Sequence, residues 1–93
     1  MTAARFAARA ARYTAAVLAL AEHFATCGSV PRTGPDAVDW WLELADLWGD
    51  VALYADDPFV NDRAHQAAEN AERHAAEITD TTTSAADGIA PAA

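Results

Sequence analysis

The chain of 93 residues is long enough for one domain with one small core and too short for a two-domain enzyme. Its apolar fraction of 53% is inflated by 26 alanines, so few large side chains remain to bury area and the core they build is thin. Six arginines, no lysine and fourteen acids give a net charge of -8, which disfavours a non-specific electrostatic grip on a phosphate backbone, and the single cysteine, Cys27, excludes an internal disulfide framework or a cysteine zinc cage.

The same composition is what GC-rich coding produces, pointing to a high-GC bacterium or phage, and a reducing cytoplasm is the expected setting. No stretch approaches the roughly 18 apolar residues of a membrane span. Arg5, Arg9 and Arg12 ahead of the apolar run Ala15 to Ala21 have the look of a targeting segment. That run is short, however, and Glu22 and His23 follow it where small residues would mark a processing site, so it is read as part of a helix.

In chain order, the first predicted helix covers about residues 3–26. Phe6, Ala10, Tyr13, Val17, Leu20 and Phe24 step by threes and fours and form its expected seam, and Gly28 is its expected left-handed cap. Gly28, Pro31, Gly34 and Pro35 then mark a linker.

The second predicted helix covers about 36–55, with proline and an acid at its start. Its carboxylates, Asp39, Glu43, Asp46 and Asp50, fall within an arc of about 60° on a helical wheel, and almost everything else is apolar or small. A helix apolar over more than half its circumference is buried on several sides, so this one is expected to be central.

Asp57 and Pro58 open the third predicted helix, about 58–79, whose inner face is Val60, Ala64, Ala67, Ala68, Ala71, Ala75 and Ile78. From Asp80 onward the periodicity is lost, and a disordered tail over 80–93 is expected. No segment alternates with period two, so the predicted class is all-α: a compact three-helix unit over 1–79 with helix two at its centre.

Candidate chemistry is sparse, and no catalytic residue, cofactor or metal is assigned. Cys27 sits near a helix C-terminus, where the dipole opposes a thiolate. Asp62, His65, Glu69 and Glu72 share a face of helix three, but they point away from its alanine seam and lack the Glu-x-x-His spacing of bundle metal sites. In length and alanine-rich helices the chain is similar to small secreted helical-hairpin proteins with a Trp-x-Gly turn. Here Trp48 and Gly49 are adjacent, lie inside a helix and are followed by a third helix, so nothing of that family is carried over.

Two patterns remain, the carboxylate row and the three tryptophans Trp40, Trp41 and Trp48. Trp40 and Trp41 point about 100° apart, and helix three offers mostly alanine to cover them, so part of this aromatic surface is expected at an interface. The expected function is a non-catalytic interaction module, an adaptor or inhibitor that binds another, larger protein through the aromatic and acidic surface of helix two. A homodimer is also expected, with no direct contact to nucleic acid or membrane. The alternatives are an acidic mimic of nucleic acid, a metal-binding protein acting through His65, Glu69 and Glu72, and a membrane-surface helix from Arg5 to Leu20. The three arginines of helix one are expected to sit near Asp46 and Asp50 in an antiparallel hairpin.

Overall fold

The computed structural model describes residues 3–89, with side chains through residue 81. Within them the chain forms α1 (Ala3–Ala25), one 3-10 turn (Cys27–Ser29), α2 (Pro35–Tyr54) and α3 (Pro58–Ile89), and no strand. The all-α class and the central place of α2 are as expected. This helix packs against both neighbours, whereas the backbones of α1 and α3 nowhere approach each other among the described residues. The longest extent is 67 Å, and the 32 residues of α3 alone reach about 48 Å at 1.5 Å per residue.

Local chemistry sets the helix ends. Gly34 takes a φ of 93° at the N-cap of α2 and Pro35 follows in the first turn. The carboxylate of Asp57 accepts a 2.8 Å bond from the Phe59 amide and so caps α3. The expected left-handed cap at Gly28 does not form. The chain instead tightens into the 3-10 turn, with Ser29 N–H bonded to Thr26 C=O at 3.0 Å, and Gly34 is the residue with positive φ. The expected tail fits the end of the packed core near Asp80, since Ile78 is the last described side chain that is buried, while the α3 backbone stays helical to Ile89. No proline interrupts that stretch, and helical bonds are local, so they persist past Ile78. Residues 90–93 of the expected tail lie outside the described residues.

Twelve apolar residues are buried among those described, and eight of them are alanine. Ala45 and Ala52 of α2 join Ala64 and Ala71 of α3 in one cluster with Leu20, Leu44 and Val51. Methyl groups allow close helix approach but remove little surface from water, so most burial energy comes from Leu20, Leu44, Val51 and Ile78, at about 1.5–3 kcal/mol each, together with the partly buried Tyr13, Trp40, Trp41, Leu47 and Trp48 packed on the cluster.

The seam of α1 differs from expectation. Ala16, Leu20 and His23 are buried and Tyr13 packs on the cluster, while Phe6, Val17 and Phe24 are 58%, 39% and 43% exposed. The helix is rotated so that Arg9, Tyr13, Ala16, Leu20 and His23 face α2. Polar bonds at its two ends fix that rotation. Arg9 donates to the carbonyls of Leu53, Tyr54 and Ala55 at 3.3–3.4 Å and pairs with Asp56 at 2.9 Å, while His23 donates to the Trp40 carbonyl at 2.9 Å. The partner of Arg9 is thus the C-terminal end of α2 and Asp56, in place of Asp46 or Asp50, because the orphan carbonyls there attract a cation.

Gly49 lies mid-helix in α2, and a Cβ built there meets nothing within 4 Å. Gly49→Ala is therefore expected to raise unfolding free energy by about 0.5–1 kcal/mol, whereas Gly34→Ala, at a φ of 93°, lowers it by about 1 kcal/mol. Urea denaturation of the two variants beside the parent chain checks both signs.

Candidate partner-binding surface

At about 100° per residue, the face of α2 that carries Trp41 and Trp48 lies about 160° from the face centred on Asp46. The structure therefore splits the predicted site. Asp39, Glu43, Asp46 and Asp50 are all exposed along the outer side of α2, whereas the three tryptophans are half-buried and turned towards α1, α3 and the space between them.

Trp40 faces α1. Its ring stacks on the His23 imidazole with centroids 4.5 Å apart and planes 19° apart, and its indole N–H donates to the Thr26 hydroxyl at 3.0 Å. That hydroxyl in turn donates to the His23 carbonyl at 2.6 Å, closing a small network around the end of α1. Trp41 turns towards α3, where its ring centroid lies 4.1 Å from that of His74. Trp48 sits between the flanking helices with Phe24 of α1 against it edge-on at 6.4 Å. Packing within the chain thus engages every indole.

One place joins the two patterns. The exposed edge of Trp40 shares an open cleft of about 290 Å³ with Asp36, Asp39 and Glu43 and with Val30 and Pro31 of the linker. Glu43 is also 3.8 Å from His23 Nδ1, while Asp39, Asp46 and Asp50 make no ion pair among the described residues. Sequence reasoning missed the apolar part of this surface, Leu42 and Leu53. They flank the carboxylates at 44% and 62% exposure, whereas the helical wheel counts them with the apolar majority of α2 that is expected to be buried.

The other candidate groups do not assemble into a site. Asp62, His65, Glu69 and Glu72 are exposed on α3, and no group of three or more potential ligands is placed to hold a metal among the described residues. Cys27 is exposed as the first residue of the 3-10 turn. No described helix is long and apolar enough to cross a membrane. No protein-family model, curated protein or solved structure matches the chain.

The two halves of the predicted site separate by stability. Trp40→Ala removes the ring stack and the Thr26 bond and is expected to cost about 2–4 kcal/mol. Asp46→Asn, on an exposed side chain, stays within about 0.5 kcal/mol of the parent. Denaturant titrations followed by circular dichroism measure both.

Proposed function

We propose that the protein is a non-catalytic interaction module, an adaptor or inhibitor that holds a larger, basic protein against the outer face of α2. The observation that carries this reading is one helix face on which four carboxylates, Asp39, Glu43, Asp46 and Asp50, stand beside two exposed leucines, Leu42 and Leu53. No cation lies on α2 to offset them. Such a face combines a long-range field, which steers a cationic partner, with apolar side chains that hold it at contact. The cleft beside Trp40 adds an aromatic edge next to three acids, a setting that suits an arginine or lysine side chain of the partner.

Charge density favours this reading over mimicry of nucleic acid. Four carboxylates from Asp39 to Asp50 span about 16 Å of helix, roughly one charge per 5 Å, against about one per 1.7 Å along duplex DNA. A phosphate mimic also has no use for Leu42 and Leu53, because the partner's phosphate site is polar.

The test is the kinetics of binding to a partner captured from the native host. Asp46→Arg combined with Asp50→Arg should slow association at least tenfold and leave helicity unchanged, and the parent on-rate should fall steeply as salt rises. Leu53→Ala should act mainly by speeding dissociation. An on-rate indifferent to salt, with affinity unchanged in the charge-reversed variant, removes the outer face of α2 from the binding site. Loss of affinity through the carboxylates with no effect of Leu42→Ala or Leu53→Ala favours the mimic.

A further inference from the structure

The opposite side of the molecule is a concave apolar face. Because α1 and α3 both pack on α2 without meeting, they leave a groove between them with Trp48 at its floor. Its α1 wall is formed by Phe6, Tyr13, Val17 and Phe24, three of which are exposed large apolar side chains. On the helical wheel this side of α1 continues through Ala10, Thr14 and Ala21, with no charged residue from Ala3 to Ala25. In a chain of net charge -8, so long a charge-free face has the composition of an interface centre.

We propose that this face is covered by a second copy of the chain, related by a two-fold axis that runs α1 of one copy antiparallel to α1 of the other. Two observations select this occupant. The first is area. The 23 residues of α1 give about 35 Å of length, and two helix spacings of 8–10 Å bring the width to about 17 Å. That is about 600 Å² per copy and about 1,200 Å² in all, the size at which specific dimers become stable.

The second observation is charge. One end of the groove is a cleft of about 480 Å³ that Arg32 lines together with Phe24, Trp41 and His74. The other end is a cleft of about 300 Å³ lined by Tyr13, Val60, Asp56 and Asp57; Arg9 already pairs with Asp56, whereas Asp57 makes no ion pair among the described residues. An antiparallel two-fold sets Arg32 of each copy against Asp57 of the other, twice per dimer, whereas a parallel pairing sets Arg32 against Arg32 and Asp57 against Asp57. An unrelated partner is given no such reason to match both ends. The inference uses the face of α2 opposite the carboxylates, so it stands independently of the proposed function.

Sedimentation equilibrium of the full chain at micromolar concentration tests it, with circular dichroism of each variant alongside. The parent should run at twice the chain mass of 9.8 kDa. Ala10 and Ala21 are exposed on the single chain, so Ala10→Glu and Ala21→Glu keep its fold but place a carboxylate in the dimer interface, and each should weaken self-association at least tenfold. Ala15→Glu, the same change on the outer side of α1, should leave it unchanged. Arg32→Glu should weaken it several-fold by facing Asp57 of the second copy. A parent chain of monomer mass overturns the proposal. So does a dimer indifferent to Ala10→Glu and Ala21→Glu, or one weakened as much by Ala15→Glu. Self-association strengthened by Arg32→Glu overturns the antiparallel arrangement.

Discussion

The small side chains of α3 set the geometry of everything else. Its buried face is built from Ala64, Ala71 and Ala75, with Ile78 the one large residue buried along it. Methyl groups let α3 lie close against Ala45 and Ala52 of α2 but do not reach past α2 to a third helix. Had the seam of α3 carried leucines, those side chains would have filled the space that now separates it from α1, and a closed bundle would follow. With alanines, α2 becomes the only shared wall, α1 and α3 remain apart, and Trp48 is left as the floor of an open groove.

A thin apolar seam cannot specify the rotation of α1 by itself, and polar bonds at both ends do so. Arg9 gathers the carbonyls that end α2 together with Asp56, and His23 reaches the Trp40 carbonyl one turn into the other end. The Arg9–Asp56 pair is solvent-exposed, so its attraction alone contributes little, and its main effect is directional. Arg9 and His23 are fourteen residues apart, almost four turns, so both sit on the same side of the helix and hold Ala16 and Leu20 against α2. Phe6, Val17 and Phe24 are turned outward as a result.

How legible the sequence was depended on which signals were redundant. Proline, glycine and aspartate placed the starts of α2 and α3 because each acts locally, whatever the tertiary context. The α3 seam was legible because alanines and one isoleucine formed the only uncharged stripe on that helix. For α1 two stripes competed, one holding the larger side chains and the other holding Arg9 and His23. Apolar periodicity selects the first, since it gives no weight to an arginine that caps a neighbouring helix 44 to 46 residues away. The tryptophans carry a packing role that size alone does not reveal. Size marks them as interface anchors, and within the fold an imidazole from His23 or His74, or the edge of Phe24, also meets each ring. The carboxylate row was read correctly as one exposed stripe, and the leucines beside it were legible only once the flanking helices were known to leave them uncovered.

The central helix thus separates two demands that often conflict. Its groove side and flanks carry the side chains that hold the chain together, and its outer side carries five exposed acids, Asp36 included, of which Glu43 alone lies near a basic side chain among the described residues, 3.8 Å from His23. Mutual repulsion along that row destabilises α2 slightly, because like charges three and four residues apart on a helix are unfavourable by a few tenths of a kcal/mol per pair. Asp36 at the first turn is favoured by the helix dipole, whereas Asp50 near the last turn is opposed by it. Arg9 at the C-terminal carbonyls offsets that second effect from outside the helix, supplying the cation that α2 itself lacks. The acidic face can therefore change in charge without changing the fold, because the bonds and buried methyls that define the fold lie on the other side of the same helix.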